Sequence, residues 1–190
     1  MGDLDLNHKE QEGLLDWVHA VIGVAFGHPE PVTPDFLREM PRCAVFVTLH
    51  LKGELRGCIG YMQSDKKLEE ALRDAGESAA FKDYRFNPLS ENEWNDIEVE
   101  VSLLSPMEEI SGPDELIMGE HGALLAARGR QGLFLPQVAS EQNWDRNSFM
   151  NQLCRKAGLP SDFWKKDSYT LYRFSARVYS LPILDEKYTD

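Results

Sequence analysis

The stretch from Ala44 to Tyr61 restricts the fold more than any other part of the chain. Two runs rich in apolar and β-branched residues, Ala44-Val45-Phe46-Val47-Thr48-Leu49-His50-Leu51 and Leu55-Arg56-Gly57-Cys58-Ile59-Gly60-Tyr61, flank Lys52-Gly53-Glu54. A short glycine-containing link between two such runs marks a β-hairpin. Side-chain alternation selects its register. A three-residue loop sets Leu51 against Leu55, Val47 against Ile59 and Val45 against Tyr61, gathering the aliphatic side chains on one face, whereas a two-residue loop mixes the faces. In that register the other face presents Phe46, Thr48 and His50 beside Gly60, Cys58 and Arg56, and is the first candidate site.

Around the hairpin the apolar spacing switches to that of helices. Leu14, Val18, Val21, Ile22 and Ala25 predict a helix from an N-cap at Asn7 to about Phe26, ended by Gly27. Pro34 opens a short helix through Glu39, and Leu68, Ala71, Leu72, Ala75 and Ala79 predict another from Lys66 to Phe81. Asp83 to Leu89 reads as a loop, with Asp83 and Arg85 pairing to fix it, and Ser90 with Glu93 reads as a capping box. Ile97 to Leu104 alternates strictly and predicts a strand. A second hairpin is expected around Arg128-Gly129-Arg130-Gln131, one helix from Ser140 to Gly158, and a last strand from Tyr169 to Ser180. Helices mixed with hairpins, without steady strand-helix alternation, predict an α+β fold with mainly antiparallel sheet.

Composition removes several functional classes. The 190 residues carry a formal charge of −12, which repels phosphate backbones and anionic lipid at long range. Nucleic-acid binding is therefore disfavoured unless a local basic patch reverses it, and only short ones occur: Arg128 with Arg130, Arg155 with Lys156, Lys165 with Lys166. The longest apolar run, Cys43 to Leu51, falls far short of the roughly 20 residues that span a bilayer. The acidic start Met1-Gly2-Asp3-Leu4-Asp5-Leu6 has no basic n-region, so neither export nor a lipid anchor is expected. Three widely spaced cysteines, Cys43, Cys58 and Cys154, suit a reducing cytoplasm. With no CxxC and no paired histidines, no metal or other cofactor is expected.

The residues open to chemistry are few. Cys58 is the most reactive type in its run; Arg56 beside it would favour the thiolate, and His50 stands diagonal to it, about 7–8 Å away across the pair. Packing as a small hydrophobe is the ordinary role of such a cysteine. Gly57 and Gly60 inside a strand point to a bulge or to the close approach of another backbone or a ligand. Arg56 offers a planar fork for an anionic group, or for a strand carboxylate. Glu98 and Glu100 share one strand face, about 6–7 Å apart, as an acid and base pair would, and are expected opposite Arg56 across one cleft; a solvated strand face is the plainer reading. Asp83, Arg85 and Gln137 are added as ligand contacts, with His121 as a supporting polar residue, while Trp17, Trp94, Trp144 and Trp164 read as packing residues.

Leu55-Arg56-Gly57-Cys58-Ile59-Gly60 resembles the hallmark hexapeptide of the AMMECR domain family. Further blocks resemble the same family in the same order: Ala79-Ala80 through Asp83, Arg85-Phe86 and Pro88-Leu89, the acidic strand Glu98 to Leu104, Gly132 to Ala139, Trp144-Asp145, and Leu153 to Leu159. The resemblance implies a single domain over residues 1–190 built as a two-lobed α+β fold, with the hexapeptide near the cleft between lobes. It also implies, as partners, a Memo-type protein, similar to non-haem iron dioxygenases, and a radical SAM protein. It supplies no reaction for the domain itself. The expected function is an accessory or binding domain with a ligand or partner cleft at the hexapeptide; the alternative is an enzyme using Cys58 or the Glu98/Glu100 pair on a small molecule or a modified side chain.

Overall fold

A computed structural model of the chain describes residues 4–62 and 65–180; Met1 to Asp3 of the acidic start lie outside them. Helix α1, His8–Gly23, begins in a full capping box: the Asn7 side chain accepts from the Glu10 backbone N–H at 3.1 Å, and the Glu10 carboxylate accepts from the Asn7 N–H at 2.9 Å. A 3₁₀ turn at Val24–Phe26 carries the chain to Gly27, which closes the helix at φ +90°. Leu14, Val18 and Ile22 are fully buried, each such side chain contributing about 2 kcal/mol relative to exposure. Helices α2 (Asp35–Glu39) and α3 (Leu68–Phe81) follow, then the single turn α4 (Glu91–Trp94) behind the expected Ser90/Glu93 capping box.

The first sheet has the order β2-β1-β3-β8, built from β1 (Ala44–Leu51), β2 (Glu54–Tyr61), β3 (Ile97–Leu104) and β8 (Ala176–Ser180). The hairpin turn departs from the three-residue loop that alternation predicts. Lys52 and Gly53 form a two-residue turn with φ of +55° and +79°, the conformation whose twist matches that of the flanking strands. Leu51 therefore faces Glu54 and His50 faces Leu55. An extra residue, Arg56, then shifts the register between Leu49 and His50, and beyond it Val47 faces Ile59 and Val45 faces Tyr61 as alternation requires. A bulge has absorbed the conflict between a favoured turn and the buried aliphatic face.

A second sheet has the order β4-β7-β5-β6, from β4 (Glu108–Ile110), β5 (Gly122–Ala127), β6 (Arg130–Phe134) and β7 (Thr170–Phe174), every pair antiparallel. Its hairpin also turns on two residues, Arg128 and Gly129, so Arg130 and Gln131 belong to the strand rather than to the connection. The expected helix from Ser140 to Gly158 is two helices, α5 (Pro136–Glu141) and α6 (Arg146–Lys156). Asn143 at φ +51° breaks the chain, and the Asp145 carboxylate caps α6 by accepting from the Ser148 N–H at 2.7 Å. Apolar spacing hides this break because Trp144, in the connection, still packs on Phe134, ring centroids 5.5 Å apart.

The expected strand from Tyr169 to Ser180 likewise divides, at Ser175: β7 belongs to the second sheet and β8 to the first. Ser105 clasps the division point, its N–H donating to the Ser175 carbonyl at 2.9 Å and its Oγ accepting from the Ser175 N–H at 3.0 Å. The described residues thus form two compact units, one within 4–103 together with 177–180 and one of residues 104–176. Each has its own apolar core. The architecture is α+β with antiparallel sheets. Among the described residues no helix is long and apolar enough to cross a membrane.

Candidate functional site

β2 is an edge strand, and an unpaired strand edge invites pairing with another chain. Here the loop after α3 covers it. The Cys58 N–H, directed away from β1, donates to Asp83 Oδ2 at 2.9 Å, and the Cys58 carbonyl accepts from Arg85 Nη2 at 3.3 Å. Asp83 is 4% exposed. Arg85 grips its carboxylate through Nε at 2.9 Å and Nη2 at 2.6 Å, and its own N–H adds a bond at 3.1 Å. The guanidinium, with the N–H groups of Cys58 and Arg85, holds the Asp83 carboxyl far below the usual carboxylate range, against the opposing effect of burial. The same pairing raises Arg85 above its ordinary value. The loop-fixing pair expected from sequence is present, and its anchor is the backbone of the hexapeptide.

Arg56, re-aimed by the bulge, meets a helix cap rather than a strand carboxylate. Its Nε and Nη2 hold the two oxygens of Glu93 at 2.8 and 3.1 Å, and Nη2 also donates to the Asn87 carbonyl at 3.0 Å. Glu93 serves α4 as well, accepting from the Ser90 N–H at 2.9 Å and the Ser90 hydroxyl at 2.8 Å. Arg56 first, and Ser90 second, lower the Glu93 carboxyl to about 2. The two guanidinium groups stand over the Phe86 ring at 5.9 and 5.4 Å. Arg56, Tyr84, Arg85, Phe86, Asn87 and Glu93 thereby line a surface depression of about 490 Å³.

Gly57 and Gly60 are explained by close approach. A Cβ on Gly57 would stand 2.2 Å from the Ala79 carbonyl oxygen of α3, and one on Gly60 would stand 2.2 Å from the ring of Phe46, its cross-strand partner. The neighbour at Gly57 is helix backbone, and at Gly60 an aromatic side chain of the same hairpin.

Cys58 is half-buried, and its Sγ accepts from the Thr48 hydroxyl at 3.2 Å. The expected support from Arg56 is spent on Glu93, and His50 lines a different cavity. That cavity, of about 380 Å³, holds Glu98 and Glu100 with Asp16, His19 and His50. The two glutamates do not share the depression of Arg56, contrary to the single cleft expected: β1 stands between β2 and β3 in the sheet, and the bulge turns Arg56 toward α4. Gln137 stands on α5 of the second unit, half-buried, and His121 Nδ1 accepts from the Ile117 N–H at 3.1 Å. Glu93, Tyr84 and Phe86 join the site without having been singled out as ligand contacts. The capping box marked Glu93, but nothing in the sequence pairs it with Arg56. Among the described residues no group of three or more His, Cys, Asp or Glu is placed to hold a metal ion.

Cys154 is buried, which raises its thiol above the ordinary value. Native-state alkylation with iodoacetamide is expected to modify Cys58 at least about tenfold faster than Cys154, since Cys154 is buried and its thiol is held back from ionising, whereas Cys58 is half-buried. Equal rates, read by peptide mass spectrometry, would contradict this burial pattern.

Residues 15–179, including every element of this site, match the family model described as AMMECR1. The chain belongs to the AMMECR1 family. A protein of Methanothermobacter thermautotrophicus is 43% identical over 152 residues, covering 77% of this chain and 78% of its own. One of Thermococcus onnurineus is 40% identical over 161 residues, covering 80% and 77%. The crystal structure of an uncharacterized protein from Pyrococcus horikoshii superposes with a TM-score of 0.80 at 34% identity, over 91% of this AMMECR1-family chain and 92% of the other.

Proposed function

We propose that this AMMECR1-family protein is an accessory, partner-binding domain and that its docking surface is the loop held by the hexapeptide, from Tyr84 to Asn87, with Arg56 and Arg85. One observation carries the reading. The polar groups of the hexapeptide are occupied with structure, Arg56 on Glu93, the Cys58 backbone on Asp83 and Arg85, the Cys58 thiol on Thr48, yet the loop they support leaves Tyr84 94% exposed. Nη1 of each arginine makes no hydrogen bond among the described residues. Exposed tyrosine beside pre-positioned arginine is the composition that carries binding energy at protein interfaces. A nucleophile would need a base in reach and a group orienting that base; the Cys58 thiol has beside it the Thr48 hydroxyl and the Arg85 guanidinium, a donor and a cation and neither of them a base.

The test is photo-crosslinking in the source cell, with p-benzoylphenylalanine placed at position 84 or at position 32, where Val32 is 86% exposed on the same unit. A discrete crosslinked protein from position 84 and none from position 32 is expected, with Memo-type and radical SAM proteins the first identities to check. No adduct from 84, or the same adducts from both positions, would overturn the reading.

A further inference from the structure

The three short basic pairs, far apart in sequence, meet in the second unit. The β5–β6 turn carries Arg128 and Arg130. Arg130 Nη1 donates to the Gly158 carbonyl, just beyond the α6 residues Arg155 and Lys156, and Lys156 Nζ lies 4.5 Å from the Phe134 ring centroid on β6. The last turn of α6 is seated on this hairpin because Gly132 has no side chain: a Cβ there would come within 2.6 Å of the Leu153 carbonyl oxygen and 2.8 Å of the Ala157 nitrogen. On the other side of the turn the Arg128 guanidinium lies 4.9 Å from the centroid of Phe163 and bonds Asp167 at 2.8 Å, which brings in Lys165 and Lys166. All six cations are exposed.

Part of this cluster has a structural use. Arg155 and Lys156 complement the negative end of the α6 dipole, and Arg130 satisfies a carbonyl beyond that end. Arg128, Lys165 and Lys166 are not explained that way. Among the described residues, Asp162 pairs with Lys166 and Asp167 with Arg128, so carboxylates offset the cations of this region only in part, on a chain of −12. At physiological salt, charges beyond about 8 Å are largely screened, so a bound anion would feel the cations next to it more than the net charge of the chain. Beside Arg128 a depression of about 420 Å³ is lined by Ser168, Tyr169 and Thr170; Tyr169 is half-buried and packs against the apolar core of this unit.

We infer that this face binds a single-stranded nucleic acid, its phosphates on the cations around the Arg128-Gly129 turn and one base lodged beside Tyr169. Several separated cations suit a repeating phosphate chain, and a depression next to them with a tyrosine in its lining suits an unstacked base rather than a duplex. The face is separate in sequence and in lining residues from the Tyr84 loop, so this inference stands or falls independently of the partner-binding proposal.

The experiment is fluorescence anisotropy of a labelled 12-nucleotide oligouridylate with the full chain. Neutralising about three phosphates predicts binding that weakens about 20-fold between 50 and 200 mM salt. Arg155→Glu with Lys165→Glu is expected to weaken binding at least tenfold, whereas Lys9→Glu with Arg38→Glu, an equal charge change on the first unit, leaves it within twofold. Unchanged thermal midpoints establish that both variants are folded. The inference is overturned by no binding at 50 mM salt, or by equal losses in both variants, which would reflect net charge alone. Displacement of the RNA by an equimolar 12-residue polyglutamate would overturn it too, since the face would then select an acidic polypeptide.

Discussion

Gly57→Ala is expected to lower stability by about 3 kcal/mol or more, and to cost soluble yield. The added methyl would lie 2.2 Å from the Ala79 carbonyl oxygen, and neither side can give way easily. Ala79 is in the last turns of α3, where a shift disturbs helix hydrogen bonds and the packing of Ala75 and Ala80, both buried. Gly57 is paired with Leu49 on β1, so withdrawing it strains the hairpin. Overpacking against a side chain costs about 1–3 kcal/mol, and backbone is less forgiving. Gly112→Ala is the control. Its φ is −179° and nothing lies within 4 Å of the Cβ position, so a change within about 0.5 kcal/mol is expected. Urea denaturation of the two variants decides the matter, and comparable stabilities would remove the close approach as the reason for glycine.

Asp83→Asn is expected to cost about 3 kcal/mol at neutral pH, because it leaves Arg85 and the edge of β2 without the carboxylate that ties them together. Its pH dependence is the sharper signature. The Asp83 pKa is depressed in the folded state, by Arg85 first and by the N–H groups of Cys58 and Arg85, so its stabilisation is complete above the unfolded value of about 3.9 and is lost as pH falls toward the folded one. Glu93, lowered to about 2 by Arg56 and Ser90, makes both proteins less stable in acid but cancels in the difference between them. The stability difference between the parent and Asp83→Asn should therefore be constant from about pH 6 to 8 and shrink steadily below pH 4. A gap that stays unchanged down to pH 2.5, or one that widens, would show that the charge of Asp83 is not what holds the loop. Since the same carboxylate positions Tyr84 and Arg85, the Tyr84 crosslink should weaken in this variant while that variant remains folded.

Where local chemistry and burial agree, the elements could be read directly. Ser90 and Glu93 announced their capping box, the apolar spacing of α1 and α3 located both helices, and the alternation of Ile97 to Leu104 produced a strand whose Ile97, Val99, Val101 and Leu103 are buried. Errors arose where two local preferences compete. At Lys52-Gly53 the turn prefers two residues while the aliphatic face requires a different register, and only a bulge at Arg56 satisfies both. Periodicity has no term for such an insertion. Between Phe174 and Ala176 it failed for another reason: alternation describes which faces are buried and cannot say that β7 and β8 join different sheets.

By itself, then, the sequence established the family, through the hexapeptide and the ordered blocks around it, together with an α+β architecture and the pairing of Asp83 with Arg85. Those are properties of near neighbours in the chain or of patterns repeated along it. Tertiary structure decided the rest: that Arg56 answers Glu93, 37 residues away, that Asp83 accepts from the backbone N–H of Cys58, that Glu98 and Glu100 line another cavity, and that three modest basic pairs stand on elements of one unit that pack together. Each depends on which side of a strand a bulge turns a side chain to, or on which segment passes close enough for backbone to touch backbone. Such distances are set by packing between segments remote in sequence, and no local spacing encodes them.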